Sequence, residues 1–174
     1  ELPFGRGRKF GSNMNAVADA ILGGWQLNGI YTFRTGLPVT ASLAAGLVSS
    51  TVNTGGASRP DQIGNPELPK SQRTLDRYFN TAVFVSPAPN SYRFGNAGRN
   101  TIRGPSLSGL DFSVFKVFRF GERFQLQTRG EFFNLPNHPN WGQPNAQVGN
   151  AAIGTIRSLA TNMRQTQLGL KLLF

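Results

Sequence analysis

The chain has 174 residues, enough for one ordinary domain with a real core. It has no cysteine and one histidine, His138, which excludes a disulfide framework, a thiolate metal site and a histidine-rich metal cluster. Lys and Arg number 18 against 8 Asp and Glu, a formal charge of +10 that, taken alone, points to nucleic acid or an anionic surface.

Glycine (21), proline (11) and phenylalanine (14) are abundant, which favours many turns and strands over a helical bundle. No run reaches the roughly 18 apolar residues of a spanning helix. The first residue is Glu1 rather than Met, so the chain is expected to be a piece of something longer.

Residues 1–11 read as a strand end running into a glycine-rich basic turn with Arg6, Arg8 and Lys9. A short helix follows: Met14, Val17, Ala18, Ile21 and Leu22 fall on one helical face. Ser12 or Asn13 is its expected cap, and Gly23-Gly24 its stop. A strand with period two comes next, over about 24–40. Trp25, Leu27, Gly29, Tyr31 and Phe33 form its apolar row, and Gln26, Asn28, Ile30, Thr32 and Arg34 the other.

Residues 45–107 are rich in Gly, Ser, Asn, Pro and Thr and read as a long loop with a short helix near 75–79. Alternation returns over 108–120. Leu110, Phe112, Val114, Phe118 and Phe120 form an apolar row that Lys116 interrupts. Asp111, Ser113 and Arg119 form the opposite row, interrupted by Phe115 and Val117. Gly121-Glu122-Arg123 is a tight turn into a strand over 123–134, which makes a hairpin. Residues 134–152 are a second loop, with a brief strand expected near 153–156. The last strand, 164–174, sets Leu168, Leu170, Leu172 and Phe174 against Gln165, Gln167, Gly169 and Lys171.

Alternation alone means one wet and one dry face, which also describes a soluble β domain. Three features favour a membrane barrel. Aromatics stand near strand ends in the apolar rows, as in interface girdles. The polar rows are rich in Gln, Asn and Arg, which suits a wet lumen. The connections are short at one end and long at the other, and each strand is near the roughly 9 to 11 residues of a tilted spanning strand. The expected fold is all-β: an antiparallel up-and-down meander belonging to a large outer-membrane barrel, with short helices in its turns. Lumen-facing candidates are Gln26, Asn28, Arg34, Asp111, Gln125, Gln127, Arg129, Glu131 and Lys171. Lipid-facing candidates are Trp25, Leu27, Tyr31, Phe33, Phe112, Val114, Leu126, Leu168, Leu170 and Leu172.

Five segments, in order, carry a family resemblance: ELPFGRGRKF at 1–10, GGWQLNGIYTFRTGLPVT at 23–40, FGNAGRNTIRGPSLSGLDFSVFK at 94–116, RGEFFNLPNHPNWGQPN at 129–145 and RQTQLGLKLLF at 164–174. The chain resembles, over nearly its whole length, the C-terminal barrel region of TonB-dependent outer-membrane receptors, in particular the Oar-like group with a carboxypeptidase-regulatory-like domain. The resemblance implies a bacterial outer-membrane location and a barrel of about 22 strands with a plugged lumen. It further implies energy-coupled uptake through a plug, which is not in this chain, and a TonB-type periplasmic partner. The ending is similar to the signal by which such barrels reach their assembly machinery, with Phe174 as terminal aromatic; its physical sense is an open strand edge that pairs by strand addition. Four strands and part of a fifth cannot close a membrane barrel, so the rest of the barrel is an expected partner, together with outer-membrane lipid.

Other chemistry fares less well. A Ser-His-Asp arrangement on His138 lacks a Gly-x-Ser-x-Gly elbow, and a turn role suits Asn-His-Pro-Asn better. Asp111 and Glu131 suit a lumen charge network beside Arg119 and Arg129 better than a catalytic pair. Gly5-Arg6-Gly7 lacks the rest of a phosphate loop. Arg93, Arg99 and Arg103 among Tyr92 and Phe94 suit loop folding better than single-stranded nucleic acid, and no nucleic-acid partner is expected. Neither catalysis nor a cofactor is expected. The alternatives to an energy-coupled receptor are a soluble β-sheet module binding nucleic acid or carbohydrate, and a passive porin-like barrel.

Overall fold

The computed structural model describes residues 1–44, 58–89, 91, 93–121 and 123–174. They divide into two compact units. The first holds Glu1–Phe33, Ser108–Pro139 and Asn162–Phe174, and the second Arg34–Leu107 and Asn140–Thr161.

The first unit is a four-stranded sheet. Its strands are β1 (Trp25–Arg34), β2 (Leu107–Phe120), β3 (Phe124–Phe133) and β4 (Gln165–Leu173), hydrogen-bonded in that order. β2 pairs antiparallel with β3 from Phe112↔Phe132 to Phe120↔Phe124, and β4 with β3 from Gln165↔Phe133 to Leu173↔Gln125. β1 runs against β2: Val117 N–H donates to Gly24 C=O at one end (3.0 Å), and the hydroxyls of Tyr31 and Ser108 approach to 3.4 Å at the other. The fold is all-β, as the alternation predicts, and the sheet is open, not closed into a barrel. β2 turns into β3 at Gly121, whose φ of 67° suits a residue without Cβ. Glu122 of that turn lies outside the described residues.

Three expectations for this unit need correction. Residues 1–11 form no strand; they hold one isolated bridge, Phe4↔Phe10. The helix, α1, spans Ala16–Leu22, and its cap is Asn15, whose Oδ1 accepts the Ala18 N–H at 2.8 Å. Ser12 and Asn13 do not cap it because Gly11–Met14 closes as a separate turn, Met14 N–H to Gly11 C=O at 3.1 Å. The expected stop holds: Gly23 N–H donates to Asp19 C=O. Finally, β1 ends at Arg34 instead of running to 40. Gly36 packs against the Gly104 backbone, where a Cβ would collide with the Gly104 carbonyl oxygen. Pro38–Val39 then pairs with Ile102–Arg103 inside the second unit.

The second unit has little ladder and a small core. Ser42–Leu43 pairs parallel with Gln147–Val148, and Asp61–Gln62 antiparallel with Phe84–Val85. Ala41, Leu43, Phe79, Phe84, Ala97, Ile102 and Val148 are buried together, with Phe79 edge-on to Phe84 at 6.0 Å. Thus parts of both long loops share one core. The helix expected near 75–79 is absent. Thr74 and Arg77 close a local turn (Thr74 N–H to Arg77 C=O, 3.0 Å), and Phe79 goes into the core. No strand forms near 153–156 either. Gly154, at φ 80°, breaks the extended run, and Ile156 N–H bonds to Leu75 C=O at 2.7 Å. Residues 45–57 of the first long loop lie outside the described residues.

Phe79→Ala is expected to remove about 3–5 kcal/mol from the second unit. Limited proteolysis of cells bearing the protein should then cut within 58–107, while the sheet remains protease-resistant.

Candidate functional site: two faces and one rim

Register decides which side chains share a face. Phe112, Val114, Lys116 and Phe118 stand opposite Phe132, Gly130, Thr128 and Leu126. Leu168, Leu170 and Leu172 stand opposite Gly130, Thr128 and Leu126. Gly29 lies against the Phe112 ring, and the Trp25 ring lies 5.0 Å from the Lys116 ammonium, so the Trp25-Leu27-Tyr31-Phe33 row joins the same face. All ten lipid-facing candidates therefore share one continuous side of the sheet. That side is bare: Leu168 is 81 % and Leu170 76 % exposed, and none of Leu27, Tyr31, Leu126, Leu168 and Leu170 is buried. A soluble module would need these residues as its core.

The aromatics of this face form two bands. Trp25, Phe118, Phe120 and Phe124 stand near the Gly121 turn; Tyr31, Phe33, Phe112 and Phe132 stand at the opposite end. From Phe112 to Phe120 the strand rises about 27 Å, or about 20 Å across a bilayer at a barrel's usual tilt, close to the apolar band of about 25 Å between girdles.

The opposite side carries the lumen-facing candidates of the hairpin and of β4. Asp111, Gln125, Gln127, Arg129, Glu131 and Lys171 fall together on it by register. Gln26, Asn28 and Arg34 occupy the alternate row of β1. The expected charge network is narrower than the sequence suggests. Arg129 pairs with Glu131 on its own strand at 3.4 Å and lies over Phe115 at 5.8 Å. Asp111 instead accepts the Asn134 N–H at 2.9 Å, and Arg119 stands opposite Gln125.

The turn after β3 has a role for His138, through its backbone. Asn134, at φ 52°, takes the His138 N–H on its side-chain oxygen (3.1 Å) and donates from Nδ2 to the carbonyls of His138 (2.9 Å) and Asn162 (3.2 Å). Asn137 Oδ1 accepts the Arg164 N–H at 3.0 Å. Asparagine suits this work because it tolerates positive φ and both donates and accepts. Sequence reasoning missed these two asparagines; Asn-x-x-Asn between two strands was the available signal.

Lys116 explains its own interruption of the apolar row. It is 3 % exposed, and its ammonium donates to the carbonyls of Ile21 (3.1 Å) and Gly23 at the end of α1. It also lies over the Trp25 and Phe118 rings, 5.0 and 5.2 Å from their centres. Trp25 Nε1 donates to the same Ile21 carbonyl at 2.9 Å. A cation at the end of a helix satisfies orphan carbonyls. A lysine level with girdle aromatics was the sequence signal.

In the second unit Arg93 is committed to structure. Its guanidinium grips Asp61 with two bonds (2.8 and 2.7 Å), and Asn96 N–H donates to the same carboxylate at 3.0 Å. Asn96 Oδ1 in turn accepts the Gln62 N–H at 2.6 Å. The Arg93 bonds, helped by that of Asn96 and opposed by burial, hold the Asp61 carboxyl below its ordinary value of 3.8. Among the described residues no group of three or more His, Cys, Asp or Glu gathers to hold a metal, and no helix is long and apolar enough to cross a membrane.

An open antiparallel sheet, with one face apolar between aromatic bands and the other polar, defines part of a transmembrane β-barrel. Residues 1–167 match the family model described as "outer membrane beta barrel domain", and the chain belongs to that family. It is a protein of the bacterial outer membrane. No curated protein and no solved structure matches it significantly.

Two consequences can be measured. A carboxylate with a depressed pKa stabilises the fold above its unfolded value, and that contribution is lost as pH falls through the folded value. Acidification below about 4 should therefore loosen residues 59–97, seen as faster backbone hydrogen exchange; Asp61→Asn should loosen them at neutral pH and leave them indifferent to acid. Lys116→Met should leave the Gly23 carbonyl without its donor and cost about 1–3 kcal/mol, read as a lower temperature for loss of the folded gel mobility.

Proposed function

We propose that this chain is part of the barrel of an energy-coupled receptor that takes up a ligand through the outer membrane, of the TonB-dependent, Oar-like kind. The observation that carries the reading is the second unit. Both long loops leave the sheet at the end opposite the Gly121 turn, and parts of both fold around one core. Long loops that hold a defined fold on a rigid strand scaffold are suited to recognition. The five resembling segments, spread from 1 to 174, support the receptor class.

In this reading the short turn and α1 lie on the periplasmic side, and the long connections 45–107 and 134–152 are external loops. Trp25, Leu27, Tyr31, Phe33, Phe112, Val114, Leu126, Leu168, Leu170 and Leu172 meet lipid. Gln26, Asn28, Arg34, Asp111, Gln125, Gln127, Arg129, Glu131 and Lys171 line the lumen. The free edges of β1 and β4 are completed by further strands of the same barrel, which also holds a plug. A TonB-type periplasmic protein supplies the energy coupling, and the chain itself carries out no catalysis. Family membership favours this over the soluble module.

The test is the native polypeptide, detected by antibody to this segment in washed outer membranes and by in vivo cross-linking. The expected result is a band several times longer than 174 residues. Its gel mobility should shift on boiling, and it should cross-link to a TonB-type protein. A heat-shifting band with no such cross-link would leave a passive barrel. A soluble species of this size would overturn the membrane assignment.

A further inference from the structure

We propose that residues 1–24 form a foot that seats in the anionic phospholipid headgroups of the periplasmic leaflet, with one side of α1 dipped among the acyl chains. This rests on the reading that the apolar face meets lipid.

The position of the helix comes first. Lys116 and Trp25 both stand on the apolar face, and both reach the Ile21 carbonyl. The end of α1 is therefore held on the apolar side of the sheet, at the level of an aromatic band. Its orientation comes second. Ala16, Asp19, Ala20 and Gly23 line a concavity of about 460 Å³ at the edge of the sheet, shared with Arg119 and Gln125 of the polar row and Phe118 and Phe120 of the apolar row. The other side of the helix carries Val17, Ile21 and Leu22, which are 70, 63 and 53 % exposed. Three large apolar side chains left bare beside a lipid-facing row extend that row. A helix of this kind, too short to span, lies in the interface.

Charge identifies the lipid. Arg6, Arg8, Lys9, Arg119 and Arg123 stand at this end of the sequence pattern against Glu1, Asp19 and Glu122, while Lys116 is buried under the end of α1. Two of those acids are already engaged. Glu1 pairs with Arg8, which holds its carboxyl below the ordinary range, and Asp19 accepts the Arg6 N–H at 2.7 Å. Lys9 lies over the ring of Phe10, 5.5 Å from its centre, and Phe10 stacks on Phe4. Both rings are about half exposed. Aromatic rings with cations beside them suit the headgroup layer, where the rings occupy the boundary and the cations meet phosphate. The net positive balance favours anionic over zwitterionic headgroups.

The test uses the whole native polypeptide reconstituted in vesicles. This segment has no cysteine, so Val17→Cys, Ala20→Cys and Leu170→Cys each place one environment-sensitive fluorophore within it. Brominated lipid is expected to quench the Val17 and Leu170 probes severalfold more than the Ala20 probe, which aqueous iodide should reach instead. Quenching at Val17 should be stronger in phosphatidylglycerol than in phosphatidylcholine vesicles. A Val17 probe open to iodide, beside a lipid-quenched Leu170 probe, would overturn the foot and leave the barrel reading intact. Equal quenching in both lipids would overturn the anionic assignment. A Leu170 probe that brominated lipid does not reach would overturn the underlying reading itself.

Discussion

Inside a bilayer a backbone N–H or C=O has no water to turn to, and each one left unpaired costs several kcal/mol. The first unit is organised around that cost. The hairpin strands and β4 keep continuous ladders with one another, β1 lies hydrogen-bonded beside β2, and the side chains are then obliged to alternate between two environments. Phe112 to Phe120 on β2 and Phe124 to Phe132 on β3 hold one register throughout, because a slip of one residue would exchange the faces. The same demand explains the lysine in the apolar row. The last carbonyls of α1 lie at the boundary of the apolar face, and Lys116 and Trp25 satisfy them.

The second unit meets the same accounting by other means. Among its described residues the ladders are two residues long, and turns and side chains take up other backbone groups. The Asp61–Arg93–Asn96 cluster ties residues far apart in sequence. A small core under Phe79, Phe84 and Ile102 supplies the apolar burial. The asparagines after β3 do comparable work in the first unit, where Asn134 joins the turn to Asn162. In such segments polar side chains substitute for ladder, which is why their composition looks like loop while their structure is specific.

Much of this was legible in the residues. Period two over 25–34, 108–120, 124–133 and 165–173 announced the four strands, their faces and the bareness of one face, since the strand period follows from backbone geometry alone. The helix over 16–22 was legible from its spacing, but its cap was not, because Ser12, Asn13 and Asn15 are all good caps and only the Gly11–Met14 turn selects among them. The end of β1 was only half legible: Gly36 and Pro38 stand just beyond it as breakers, but they do not say what the chain meets there. It follows from the close approach of Gly36 to Gly104, two residues separated by a long loop. The missing helix near 75–79 and the missing strand near 153–156 fail together, since the two segments bond to each other.

The sequence by itself determined the alternating strands, the aromatic bands and the membrane class, because these depend on local periodicity and on the solvent each face must meet. Only the tertiary structure decided that parts of two loops share a core, that Arg93 is bound to Asp61 and that Lys116 serves the end of a helix. Those outcomes depend on which distant groups come within hydrogen-bonding distance, and spacing along the chain carries no record of that.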